Sequence, residues 1–251
     1  MSPFTVGLIA FVIVFGGALA GMLLRNFVPT HHLSDQSRDV VKLGTGLVGT
    51  MAALVLGLLI ASAKGAYDVQ STELTQMSAN VILLDRVLAR YGPEATQARE
   101  MLRKAVVQIH DQVWSKDRSG TSPWERTIPG AENLFDQIQG LSPKDDMQRS
   151  LQSQALSVTM NLGQMRWLVA EQGATSVSRP LLIVMVFWLT IIFIGWGLLT
   201  PPNGTVVVTM FVSALSVSGA ILLILEMYAP YQGWMQISDA PLRLALAHLG
   251  Q

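Results

Sequence analysis

The chain has 251 residues, 50% hydrophobic and only 14% charged, and its 17 Lys and Arg offset 17 Asp and Glu to a formal net charge of zero. A soluble domain carries about 25% charged residues. Neutrality, with no basic run longer than Arg103-Lys104, excludes a nucleic-acid surface, and the absence of cysteine excludes disulfides, thiolate chemistry and cysteine-ligated metals.

Four stretches, residues 4–24, 43–63, 181–199 and 205–225, run without a charge. Each is about 20 residues long, which as a helix matches the hydrocarbon core of a bilayer. Most of the charges lie between Asp68 and Glu171, so a polar segment separates two apolar hairpins. The expectation is an all-α, multi-pass membrane protein: four transmembrane helices with a helical bundle inserted between the second and third. The division expected is a first hairpin at 1–64, a bundle at 65–178, a second hairpin at 179–228 and an interfacial C-terminal tail at 229–251.

The first span lacks the basic n-region of a signal peptide and is longer than a usual h-region, so it reads as a retained helix. Gly17 and Gly21 form a small-xxx-small pair that admits a neighbouring helix. Arg25 closes the span and Pro29 breaks the chain, after which Ser34 or Asp35 can cap the next helix. His31-His32 with Asp35 and Asp39 reads as a polar loop and cap, because adjacent histidines are poor tetrahedral partners; no metal or cofactor is expected.

The second span carries Gly49, Ala53, Gly57, Ala61 and Gly65, a small residue every fourth position. Lipid supplies little hydrophobic drive between helices, so such a ladder marks close backbone contact. It is expected to pack against span 1 or span 4 of the same subunit; the alternative is a subunit interface or a pore-facing helix. Gly44-Thr45-Gly46-Leu47-Val48-Gly49 matches G-x-G-x-x-G, but no strand precedes it and an apolar span follows, which is the wrong context for a dinucleotide. Lys64 ends the span, where a lysine flanks a membrane or rings a pore mouth and attracts anions.

No helix breaker stands between Lys64 and Tyr91, so the helix is expected to continue beyond the membrane. Leu74, Met77, Val81, Leu84, Leu88 and Tyr91 are spaced as a coiled-coil seam. Gly92-Pro93 ends it. A second helix follows with Leu102, Val106, Ile109 and Val113 on one face, then a turn-rich loop over residues 119–130 and a short helix over Ala131–Gln139. Ser142-Pro143 reads as N-cap and first residue of a last long helix, with Met147, Leu151, Ala155, Val158, Leu162, Met165 and Val169 inward.

Spans 3 and 4 form a hairpin through Pro201-Pro202-Asn203-Gly204. Thr205, Thr209, Ser213 and Ser216 form a hydroxyl stripe on span 4, suited to helix packing or to lining a wet path. Glu226 ends that span and is expected at the interface; a deeper position would suggest a functional partner. Tyr228, Tyr231 and Trp234 fit an aromatic belt. The tail has Asp239 as a cap, Pro241 early, and Leu242, Leu246 and Leu249 along one side. Even with four spans, which put both termini and the bundle on one side, the positive-inside rule hardly separates the two faces. No nucleophile–base pair, phosphate loop or HExxH is present, so enzyme activity is not expected.

Several stretches resemble the bacterial bestrophin-like membrane family: Leu24-Arg25, His32-Leu33-Ser34, and residues 39–46 (Asp-Val-Val-Lys-Leu-Gly-Thr-Gly). Residues 53–64 (Ala-Leu-Val-Leu-Gly-Leu-Leu-Ile-Ala-Ser-Ala-Lys) are the most specific of them. Leu84-Asp85-Arg86, Tyr91-Gly92-Pro93-Glu94, Leu225-Glu226, Pro230, Gly233 and Ala240-Pro241-Leu242-Arg243 extend the resemblance over nearly the whole chain. It implies kinship with bestrophins, pentameric anion channels with four spans per subunit and a cytosolic helical domain between the second and third. The chain departs from them in having no aromatic residue within 44–63, where bestrophin pores carry a hydrophobic neck, and no acidic cluster like their calcium clasp.

The resulting expectation is a homo-oligomeric channel for small anions in a bacterial inner membrane, with lipid as its surroundings and its helical domain in the cytosol. The pore or packing candidates are Gly49, Ala53, Gly57, Ala61, Lys64, Thr209, Ser213 and Glu226. The alternative is a non-conducting membrane sensor or scaffold whose helical domain binds a partner; an exposed apolar patch on that domain would favour it. A transporter is a third option, against which stands the absence of charges inside the spans.

Overall fold

The computed structural model describes residues 2–28, 35–114, 131–173, 179–231 and 233–250. Among them are eight α-helices and no strand: α1 (Pro3–Leu24), α2 (Asp35–Tyr91), α3 (Thr96–Trp114), α4 (Ala131–Gln139), α5 (Asp146–Gly173), α6 (Arg179–Leu199), α7 (Gly204–Met227) and α8 (Ala240–His248). Four of these, α1, α2, α6 and α7, are long and apolar enough to cross a membrane. The expected loop at 119–130, the His31-His32 pair and the Ser34 cap lie outside the described residues.

The chain divides into two compact units, Met1–Ala66 with Ser176–Ala229 and Tyr67–Thr175 with Pro230–Gln251. α2 is one uninterrupted helix of 57 residues whose first part belongs to the first unit and whose remainder belongs to the second.

In the first unit α1 is pressed against α6 and α7 through missing side chains. Ser2 caps α1 by accepting from the Thr5 amide at 3.2 Å, and Pro3 takes the first turn, where its missing N–H leaves no bond unmade. A Cβ added at Gly21 would lie 2.2 Å from the Ile194 carbonyl oxygen, and one at Gly197 would lie 2.2 Å from that of Ala18. Gly17 faces Thr190 and Ile194 in the same seam, so the Gly17/Gly21 pair meets α6. On α7, Leu222 lies 3.2 Å from where a Gly7 Cβ would stand, and Phe211 meets Phe11 and Phe15 edge-on with ring centroids 5.4 Å apart. Asn203 caps α7, its side chain accepting from the Val206 amide at 2.8 Å.

The second unit has hydrophobic core clusters of its own. Every residue of the predicted seam, Leu74, Met77, Val81, Leu84, Leu88 and Tyr91, is buried. From α3 come Leu102, Val106 and Val113, from α4 Leu134 and Ile138, and from α5 Ala155, Met165 and Val169. Each large side chain so buried contributes about 1.5–3 kcal/mol before chain entropy is counted. Gly92, at φ 127°, makes the turn from α2 into a 3-10 turn at Pro93–Ala95, a conformation glycine adopts without a Cβ penalty.

Three expectations are corrected here. α5 starts at Asp146, not at Pro143. Asp145 does the capping, its carboxylate accepting from the Gln148 amide at 2.7 Å, a stronger acceptor than the Ser142 hydroxyl the sequence suggested. Met147, in the first turn of that helix, is consequently exposed rather than inward. In the C-terminal tail Leu242, Ala245 and Leu249 join the core of the second unit, and Ile237 is buried beside Met165 and Val169.

Candidate functional site

The membrane part of α2 differs from its neighbours in how little of it its own chain covers. Only 17% of its most apolar window is buried, against 39% for α1, 33% for α6 and 28% for α7. The covered stripe is narrow. Ala52, Leu59 and Ala63 are buried, Thr45 touches the Gly195 position of α6, and Ser62 shares a 3.0 Å hydrogen bond with the Tyr228 hydroxyl. On the opposite face Leu43, Leu47, Leu54 and Leu58 are exposed.

The ladder runs between these two faces. Ala53, Gly57, Ala61 and Gly65 are not buried, and a Cβ at Gly57 or Gly65 would meet no atom of the described residues within 4 Å. Gly49 has only the tip of Ile192, on α6, at 3.9 Å. The expectation that the ladder packs against span 1 or span 4 of its own subunit is therefore not met. The glycines that meet a neighbouring helix closely within the subunit include Gly17 and Gly21 of α1 and Gly197 of α6.

The other candidates divide. Lys64 is exposed at the end of the apolar stretch. Thr209 is exposed and donates to its own helix, to the Thr205 carbonyl at 2.9 Å; Ser216 does the same to Val212 at 2.8 Å. Back-bonding of this kind satisfies a hydroxyl in lipid without a neighbouring helix. Ser213 is half-buried. Glu226, expected at the interface, is buried at 8% exposure near the end of α7. The structure does not bring these residues into one cluster with the α2 ladder.

Sequence reasoning missed the polar organisation of the second unit. Asp85 is 1% exposed and receives the Arg99 guanidinium, Nε to Oδ1 at 2.8 Å and Nη2 to Oδ2 at 2.9 Å. The Gly250 amide adds a bond to Oδ2 at 3.3 Å. The signal was present: Asp85 stands four residues after Val81 and three before Leu88, on the seam itself, where a carboxylate needs a partner. The Asp85 fork holds the Arg99 guanidinium above its usual range.

A second polar group ties the C-terminal segment down. His110 Nε2 lies 3.1 Å from Asp239 Oδ2 and Nδ1 lies 3.2 Å from Asp111 Oδ1, while Arg243 reaches Asp239 Oδ1 at 3.2 Å. The Trp114 indole donates to the Ile237 carbonyl at 3.0 Å. Asp239, read as a helix cap, makes no capping bond because its carboxylate is engaged by these side chains. That bond to Asp239, helped by Asp111, raises the His110 pKa against the opposing effect of burial. Tyr231 packs edge-on against Trp114, and burial pushes its hydroxyl well above the usual tyrosine range.

Between α2, α3, α4 and α5 the second unit holds an apolar cavity of about 240 Å³, with Arg166 and Trp167 in its lining. Among the described residues no group of three or more His, Asp or Glu is arranged to hold a metal ion.

Four helices long and apolar enough to span a bilayer define a membrane protein. Residues 12–242 match the family model described as the Bestrophin-like domain, and the chain belongs to that family. The fold is similar to that of a point mutant of a bacterial bestrophin homologue from Klebsiella pneumoniae, solved by crystallography. The TM-score is 0.68 and the identity 12%, with 96% of this chain and 97% of that chain covered. No curated protein matches the sequence.

Proposed function

We propose that the chain is one subunit of a homo-oligomeric ion channel for small anions, with α2 at the subunit interface and along the pore. The observation that carries this reading is the bare face of α2. Ala53, Gly57, Ala61 and Gly65 are left exposed among the described residues, as a close-packed neighbouring subunit requires. Membership of the Bestrophin-like family supports it. In this reading Lys64 stands at the pore mouth and favours anions, and the leucines of α2 form an aliphatic neck where an aromatic one would otherwise stand. The helical bundle is inserted between the second and third spans and lies on the cytosolic side of a bacterial inner membrane.

The test is anion efflux from liposomes reconstituted with the purified protein. Chloride efflux above that of empty liposomes, reduced or shifted toward cations by Lys64→Glu, is the expected result. Efflux indistinguishable from empty liposomes would reject the channel.

One observation favours the second reading, a non-conducting sensor or scaffold. Met160, Trp167 and Leu168 on α5 are each more than half exposed and fall on one side of the helix. A silent flux assay together with a stoichiometric partner lost on Trp167→Ser would favour it.

A further inference from the structure

The apolar cavity of the second unit opens to the surface beside Trp167, which is 64% exposed. Its walls are apolar, with Leu102 and Val106 from α3, Leu134 from α4 and Leu162 from α5. At about 240 Å³ it exceeds the roughly 150 Å³ that accepts benzene and falls short of the roughly 300–1,000 Å³ of drug-sized sites. That range suits a single short apolar chain.

One polar group sets its chemistry. Arg166 lines the cavity, and its guanidinium lies 5.4 Å from the centroid of the Trp167 ring. Its Nη1 is buried and has no hydrogen-bond partner among the described residues. The Arg166 side chain is half-buried, but this nitrogen is shut off from water, and a guanidinium matches a carboxylate in shape as well as charge. Thr159, a second polar side chain of the lining, already donates its hydroxyl to the Ala155 carbonyl at 2.8 Å. Its oxygen is left to accept, not to donate. The site therefore asks for an apolar body with one anionic end.

We propose that this cavity binds a free medium-chain carboxylic acid, its chain among Leu102, Val106 and Leu162 and its carboxylate on Arg166. The assignment rests on the cavity and its guanidinium and is independent of whether the protein conducts ions.

The experiment uses the full chain in nanodiscs of zwitterionic lipid, with equilibrium binding of radiolabelled decanoate corrected for uptake by empty nanodiscs. Saturable binding of one decanoate per chain is expected. Decanol, with a similar chain and no charge, should compete at least about ten-fold more weakly, since it forgoes the charge-assisted bond. Arg166→Leu should weaken decanoate by a similar factor and leave decanol unchanged, and Val106→Trp, which fills the cavity, should remove both. Equal binding of decanoate and decanol, an unaffected Arg166→Leu, or non-saturable uptake would overturn the proposal. Displacement of decanoate by stoichiometric anionic phospholipid would assign the site to bilayer lipid and overturn it equally. If the variants do not fold, the comparison of decanoate with decanol on the unaltered protein decides alone.

Discussion

Arg99 holds Asp85 in a two-bond fork, with donor–acceptor distances of 2.8 and 2.9 Å, and the carboxylate at its centre is 1% exposed. Removing one partner of such a pair strands the other charge in a medium that solvates it poorly. Asp85→Ala should therefore lower the stability of the second unit by about 3 kcal/mol, read as a drop in thermal midpoint in detergent. Arg99→Lys should recover only part of the loss of Arg99→Ala, since an ammonium cannot bridge both oxygens. An Asp85→Ala protein as stable as the parent would contradict the account of this pair.

His110 gives the C-terminal segment a pH dependence. Its pKa is raised in the folded chain by Asp239 and, secondarily, by Asp111. A raised folded pKa means that the stabilisation is complete below the unfolded value, near 6.5, and is lost as the pH climbs through the folded value. For a pair about a quarter exposed the effect is about 1 kcal/mol. Amide exchange in Ala240–His248 should accelerate between mildly acidic and mildly alkaline pH by more than the chemical exchange rate does. In His110→Gln that excess should disappear. An excess that persists in the variant would place the titrating group elsewhere.

The glycines of the first unit should sort into two classes. At Gly21 and Gly197 an added Cβ would collide with carbonyl oxygens, which cannot swing away as a side chain can. Gly21→Val should cost roughly 1–3 kcal/mol and reduce the yield of folded protein. At Gly57 there is open space within the subunit, so Gly57→Val should leave subunit folding almost unchanged and weaken assembly. Thermal unfolding of the two variants, measured in the same detergent, separates the classes; equal losses would remove the distinction.

The cysteine-free sequence makes membrane sidedness easy to read. Ser153 is exposed on α5, in the second unit. In Ser153→Cys the thiol should resist a membrane-impermeant reagent in intact cells and react after lysis. Labelling in intact cells would place the helical unit outside.

The fold was legible wherever one physical rule dominated. The four uncharged stretches fall on the four helices long and apolar enough to cross a membrane, and the spacing of Leu74, Met77, Val81, Leu84, Leu88 and Tyr91 named six residues that prove buried. The short helix at Ala131–Gln139 was placed residue for residue, because Gly130 and Gly140 bracket its apolar face. Local competition was harder to read. Asp145 displaces Ser142 as a cap, and Asp239 gives up its capping role to His110 and Arg243, the first of these a contact between residues far apart in sequence. Partner choice was the least legible. Periodicity marks a face as suited to close contact without naming what it touches, so the α1 and α2 ladders looked alike while only that of α1 is filled from within the subunit. The Asp85–Arg99 pair and the cavity beside Arg166 likewise depend on which helices meet, which spacing along one helix does not encode.

The subunit count of the solubilised protein, taken by native mass spectrometry on the parent and on Gly57→Leu, tests the central claim most directly. A subunit interface on the bare face of α2, with the stoichiometry that the resemblance to bestrophins implies, predicts a closed ring of about five chains for the parent and a shift to smaller species for the variant. A parent that is monomeric in mild detergent, or a ring unaffected by leucine at that position, would contradict the assignment of α2 to the subunit interface.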